Sequence, residues 1–221
     1  MKINVTNLFD LNETIAGSIF DGKEYPWEAL RDIQKFILEL GQNLGRDFDR
    51  VEEDIWIGRG TFVERTAFIK GPAIIGFECE IRHAAYLRGN VIIGNNSVVG
   101  NSTEIKNSIL FNKVQVPHFN YVGDSILGYK AHFGAGVILS NVKSDKTPVK
   151  VRVREDLCLE TGLRKFGAMI GDCVEIGCNS VVNPGTIIGR GSRIYPLTSV
   201  RGVIPEKRIV KNNGEIVEIR E

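Results

Sequence analysis

Residues 87–105 read LRGNVIIGNNSVVGNSTEI, and their aliphatic residues fall at Leu87, Ile93, Val99 and Ile105, one every six positions. Working backwards, the same step reaches Ile81, Ile75, Ile69, Val63 and Ile57. Forwards it passes Phe111, takes one five-residue step to Val116 and Val122, and a second to Leu127, Phe133 and Leu139. After an interruption it resumes at Ile170, Ile176, Val182, Ile188, Ile194 and Val200, giving 21 hexads in all. Neither an amphipathic helix nor an alternating strand repeats every six residues, whereas a parallel β-helix of triangular section does, with one short strand per hexad and three hexads per coil. Glycine often follows the aliphatic residue, as at Gly58, Gly76, Gly94 and Gly100, and suits a tight corner. The fifth position is small or β-branched, as at Thr61, Ala67, Ala73, Cys79, Ala85, Val91, Ser97 and Thr103, which predicts a second inward column. The fold is therefore expected to be all-β, about seven coils rising roughly 34 Å at about 4.8 Å per coil.

The rest of the chain is read against that repeat. With 28 basic and 27 acidic residues among 221, nothing in the overall charge attracts nucleic acid or an anionic membrane. The longest apolar runs fall well short of the roughly 20 residues that span a bilayer, and Asp10, Glu13 and Asp21 occupy the stretch where a signal peptide needs an apolar core. A cytoplasmic protein is the expectation. Cys79, Cys158, Cys173 and Cys178 lack CxxC spacing and are read as reduced thiols. Residues 1–50 are expected to form a helical cap. After Pro26, Trp27, Leu30, Ile33, Ile37 and Leu40 make one helical stripe, stopped by Gly41 and Gly45, which would close the open first coil or bind a partner. The β-helix domain spans 51–204, with an excursion at 140–169 in which VKVRVR alternates like a hairpin strand; a loop that long is expected to be functional. Residues 205–221 form a charged tail with a short strand at 215–219.

Because hexads three apart stack, the register places polar residues without a structure. Arg88 and Lys106 each follow an inward aliphatic, Asn141 lies two past Leu139, and Glu104 and Tyr121 end hexads turning into the same face. Arg88, Lys106, Tyr121 and Asn141 therefore occupy successive coils along one edge, on the order of 5 Å apart. Two cations and a phenol at that spacing suit a phosphate. His118, three residues before Tyr121, supplies an imidazole able to accept a proton near neutrality. An outward edge of a β-helix also collects Arg and Lys for solvation alone, so the pattern by itself leaves a purely structural origin open.

The segment VPHFNYVGDSILGYKAHFGAGVILSN, residues 116–141, resembles the acetyltransferase domain of bifunctional N-acetylglucosamine-1-phosphate uridyltransferase/glucosamine-1-phosphate acetyltransferases, with their H-[LF]-x-Y-[LIV]-G-[DN] segment and G-A-G turn. The resemblance covers about residues 85–204, and GLRKFGAMIGD is similar to archaeal two-domain nucleotidyltransferase/acetyltransferases. It implies a left-handed β-helix of the hexapeptide-repeat type, a homotrimer with its site between neighbouring prisms, and acetyl transfer from acetyl-CoA to the 2-amine of glucosamine 1-phosphate or galactosamine 1-phosphate on the way to UDP-N-acetylglucosamine. It assigns His118 as the base, Arg88, Lys106 and Tyr121 to the sugar phosphate, Glu104 and Asn141 to the amino sugar, and the later coils, with Ala135, Gly136, Cys178, Pro196 and Arg201, to the cofactor. The basic residues Arg190, Arg193, Arg201, Lys207, Arg208 and Lys211 would face the cofactor's anionic end. Three positions depart from the family pattern: His132 and Cys178 replace an asparagine and a serine, and Gly167 stands where a lysine is usual, leaving Lys165 or Arg164 to serve. His132 or the excursion would be supplied in trans. The 56 residues before the repeat hold no G-x-G-T-x-M loop, so activation of sugars with UTP is not expected of this chain.

Three rivals remain at this point. γ-Type carbonic anhydrases hold zinc with three histidines on the same prism, but His83 and His118 fall two coils apart, on the order of 10 Å, too far to share a metal within one chain, so no metal is expected. The others are a scaffold or regulatory subunit that has lost turnover, and an acyltransferase for a nucleotide-linked amino sugar.

Overall fold

The computed structural model describes residues 2–219. Three sheets form the faces of a parallel β-helix, with nine, nine and seven strands. Face 1 begins its parallel run at Ile55–Gly58, face 2 at Phe62–Val63 and face 3 at Phe68–Ile69. Each coil pairs in register with the next, so that Ile57 meets Ile75, Ile75 meets Ile93, and Glu104 sits between Tyr86 and Tyr121. Seven coils are complete, as the sequence predicts. The tail adds part of an eighth: Val203–Ile204 and Arg208–Val210 extend faces 1 and 2 before Ile216–Glu218 folds back antiparallel on the latter.

The aliphatic column fills the prism, with Ile75, Ile81, Leu87, Ile93, Val99 and Ile105 all buried. Each such side chain contributes about 1.5–3 kcal/mol of burial. The small column lies beside it and serves a second purpose: Ser97 Oγ donates to Phe111 O at 3.2 Å and Thr103 Oγ1 to Val116 O at 3.0 Å, tying the coils together from inside. Cys79 is core, as expected, and burial pushes its thiol pKa up. The register needs one correction. Leu110, not Phe111, pairs with Ile93 and Leu127, so the five-residue step lies between Ile105 and Leu110. Phe111 takes the place of the corner glycine and points outward, where its ring lies 5.1 Å from that of Phe9 and 6.2 Å from that of Phe20.

Face 1 differs from the other two because it is buried on both sides. Its outward residues Ile74, Ile92, Ile109, Ile126, Met169 and Ile187 form a second core with the N-terminal segment and the excursion. The amphipathic stripe exists, but Pro26–Arg31 forms a 3-10 turn and the α-helix is Ile33–Gly41, lying along the flank of face 1 over its early strands. The free edge of the first strand is instead paired by Phe48–Glu52, antiparallel. The excursion is a hairpin, Val149–Arg154 with Leu157–Leu163, which buries Val149 and Val151 over the late coils of the same face. Gly185, at φ +78°, makes room for it, since a Cβ there would stand 2.7 Å from Lys150 O. Buried Asp172 anchors the N-terminal segment by accepting from Asp10 N at 2.8 Å and Tyr129 N at 2.9 Å. Among the described residues no helix is long and apolar enough to cross a membrane.

Candidate functional site

Among the described residues face 3 has no such cover, and both of its edges carry residues singled out by the sequence. Along the edge where face 3 turns into face 1, Arg88 Nη1 lies 2.6 Å from Glu104 Oε1, and Lys106 Nζ lies 3.3 Å from Asp124 Oδ2. Asn141 is buried and donates from Nδ2 to the same Oδ2 at 2.5 Å. Tyr121 stands on the face itself, between Glu104 and Ile138. A Cβ on Gly123 would meet both the Tyr121 hydroxyl and the Asn141 amide, so only glycine lets the phenol lie down against that amide. Six residues from four successive coils thus meet in one cluster. Burial, with Asp124 and Glu104 nearby, holds the Tyr121 phenol above its ordinary pKa of 10.0, against the opposing pull of Asn141 and Arg88.

His118 lies on the other edge, where face 2 turns into face 3. Its exposed side chain stands in a column in which Ala135, Cys178 and Pro196 follow on successive coils: Gly136 N donates to His118 O, Asn179 N to Ala135 O and Leu197 N to Cys178 O. The column is close-stacked, since a Cβ on Gly134 would stand 2.8 Å from Cys178 Sγ and one on Gly177 2.5 Å from Pro196 N. Buried Asn120 braces it by accepting from His118 N at 3.1 Å and donating to Gly134 O at 2.9 Å. Phe119 between them has φ 52°, an uncommon conformation for a bulky residue.

Three assigned residues stand elsewhere. Arg201 does not join the His118 column; it occupies the Arg88 edge, three coils beyond Asp124, and donates to Asn183 Oδ1 at 3.1 Å. It helps line a cleft of about 460 Å³ between that edge and the excursion, with Lys143, Lys150 and Arg152. His132 points outward from face 2, between Gln115 and Glu175. Lys165 is exposed beside Phe166, whose N–H donates to Asn141 O at 3.0 Å. No side chain fits at Gly167, because a Cβ there would collide with Gly123 O and Ser125 Oγ, which accounts for the missing lysine. The run of basic residues near the C-terminus does not form one patch. Arg190 pairs with Asp172, Arg193 with Glu175 and Arg208 with Glu218 on and beside face 2, whereas Arg201 stands on the Arg88 edge. His83 and His118 share a column with Asn101 between them, and His83 Nδ1 is 2.7 Å from Thr66 Oγ1. Among the described residues no three His, Cys, Asp or Glu side chains form a group that could hold a metal ion.

Asp124 and Asn120 were not singled out by the sequence. Both lie within the segment that carries the resemblance; Asn120 falls in the small inward column, where an amide due to be buried was the available signal, whereas Asp124 falls in neither inward column.

The model of the GMPPB C-terminal domain family matches residues 69–217, about two thirds of the chain. The chain belongs to this family. Within the GMPPB C-terminal domain match lie both edges of face 3 and every residue of the cluster. The chain is also 37% identical over 182 residues to a bifunctional sugar-1-phosphate nucleotidylyltransferase/acetyltransferase of Sulfurisphaera tokodaii, covering 77% of this chain and 43% of that protein. It is 37% identical over 112 residues to the bifunctional protein GlmU of Methanococcus maripaludis, covering 51% of this chain and 27% of that protein. Both are bifunctional proteins of the kind the sequence resembles, and the chain spans less than half the length of either. A hexapeptide transferase family protein from Anaplasma phagocytophilum, of known structure, superimposes with a TM-score of 0.48 at 14% identity, covering 77% of this chain and 87% of that one.

Proposed function

We propose that this chain is an acetyl-CoA-dependent N-acetyltransferase acting on a hexosamine 1-phosphate, with glucosamine 1-phosphate and galactosamine 1-phosphate as the acceptors to test first. The observation that carries the reading is the mixed charge of the cluster. Arg88 and Lys106 alternate with Glu104 and Asp124 around one phenol. An amino-sugar phosphate is itself mixed, with an anionic phosphate for the two cations and an amine for the carboxylates.

In the reaction, the 2-amine attacks the thioester carbonyl while His118 takes a proton from the nitrogen. The new C–N bond forms as the C–S bond breaks, and His118 returns its proton to the departing thiolate. A backbone N–H near the turn at 134–136 holds the oxyanion. Acetyl-CoA lies along the column of Ala135, Gly136, Cys178 and Pro196. The prism of residues 51–204 is the acyltransferase unit and residues 1–50 are its cover. The cluster and His118 lie on opposite edges of face 3, and Phe68, Phe119 and Leu197, exposed by 62%, 58% and 71%, are on or beside that face. Both facts support a homotrimer in which a neighbouring prism closes the site and brings His132 to it. A cytoplasmic role in supplying N-acetylglucosamine 1-phosphate follows from the same reading.

One observation favours a nucleotide-linked amino sugar as acceptor: the cleft beyond Asn141, walled by four cationic residues, has room for more than a sugar phosphate. A silent scaffold would bind acetyl-CoA without turnover. The deciding experiment follows thiol release from acetyl-CoA with both hexosamine 1-phosphates and a nucleoside-diphosphate amino sugar, for wild type and His118→Ala. Turnover on a hexosamine 1-phosphate that falls at least about a hundredfold in the variant is expected. Binding of acetyl-CoA with no turnover on any acceptor overturns the enzymatic reading.

A further inference from the structure

The corner between faces 3 and 1 carries a short ladder of left-handed residues, Asn90, Asn107 and Asp124, with φ of 55°, 46° and 48°. The backbones of the last two are held by the coil below, Asn107 N donating to Gly89 O and Asp124 N to Lys106 O. The side chains continue the ladder: Asn90 Nδ2 donates to Asn107 Oδ1 at 3.4 Å, and Asn107 Nδ2 to Asp124 Oδ1 at 2.9 Å. The ladder changes character at its last rung. An asparagine has one acceptor oxygen, whereas the Asp124 carboxylate has two. Its Oδ1 ends the ladder, and its Oδ2 turns the other way, to Lys106 Nζ and Asn141 Nδ2. The group is 4% exposed, so those contacts are made away from bulk water.

We propose that Asp124 is a positioning residue for the acceptor site: Oδ2 fixes the Lys106 ammonium and the Asn141 amide in the relative geometry in which they meet the acceptor. This rests on the hexosamine 1-phosphate reading for the identity of that acceptor. A lysine is a flexible point charge, and Asn141 can present either its oxygen or its nitrogen. One carboxylate oxygen shared by both removes both freedoms. It pins the ammonium, and it turns the Asn141 carbonyl oxygen away from the corner, leaving that oxygen free to accept from a sugar hydroxyl or amine.

Asp124→Asn isolates this role. Asparagine tolerates the left-handed conformation and already occupies both earlier rungs, so the corner is expected to fold. Its single oxygen completes the ladder with Asn107, which leaves its amide nitrogen facing two other donors. The expected result is a KM for the hexosamine 1-phosphate raised at least tenfold, with the KM for acetyl-CoA and the melting temperature little changed. In parallel, reductive methylation of Lys106, read by peptide mass spectrometry in the absence of any substrate, is expected to quicken in Asp124→Asn. An unchanged or lower acceptor KM overturns the proposal, since Asp124 would then only screen the lysine. An unchanged methylation rate overturns it as well. If wild type transfers nothing to a hexosamine phosphate, the acceptor reading has failed, and the methylation rate alone decides whether Asp124 holds Lys106.

Discussion

Tyr121 concentrates the chemistry of the cluster in one side chain. Its phenol is half-buried, faces two carboxylates and touches the Asn141 amide, with its pKa raised in consequence. The unfolded chain loses that proton near 10, while the folded chain keeps it to higher pH. Between the two values the folded state binds more protons, so stability falls as pH rises above about 10. An ultraviolet difference titration of wild type against Tyr121→Phe is expected to show one phenol ionising above 10 in the native protein, and the variant is expected to lose that part of the alkaline stability slope. At this scale the sequence was legible wherever a residue could be counted along one column. Arg88, Lys106, Tyr121 and Asn141 all follow from the step of six. Asp124 was not legible, because its two oxygens are divided between partners on two other coils, Lys106 and Asn107 on one and Asn141 on the other, and no spacing within one hexad encodes that.

Among the elements, the helix Ile33–Gly41 shows how tertiary contact reverses a local preference. Glycine is a poor helix residue, and Gly→Ala on a helix ordinarily gains up to about 1 kcal/mol. Here a Cβ on Gly41 would stand 2.5 Å from the Trp56 ring. Gly41→Ala is therefore expected to destabilise the protein by about 1–3 kcal/mol, read as a lower urea midpoint. A gain would mean that the helix does not press on face 1. The helix itself was legible from its stripe, but it was expected to close the open first coil and rests instead on the flank of face 1, although the signal for that was present. Every third strand carries two adjacent apolar residues, as in Ile74–Ile75, Ile92–Ile93 and Ile109–Leu110, the mark of a strand buried on both sides. The inclusion of Phe111 in the inward column has the same origin. It is as apolar as its neighbour Leu110, and only the covering segment distinguishes them.

For the whole molecule, this makes the N-terminal segment from Ile3 to Leu44 part of the core. Removing it is expected to leave the second core open along Ile74, Ile92, Ile109 and Phe111 and to give an insoluble or dye-binding prism; a soluble prism of unchanged melting temperature would instead identify the segment as a partner-binding arm. The excursion covers the same face from the other end of the sequence, yet it interrupts nothing. Leu127 pairs with Ile170, Phe133 with Ile176 and Leu139 with Val182, as though the intervening hairpin were absent. Length of polypeptide and height of prism are thereby uncoupled at this corner. Residues added there lengthen the chain without altering the pitch of the stack, so the distances between the coils that carry the cluster survive a change in whatever the corner is given to hold.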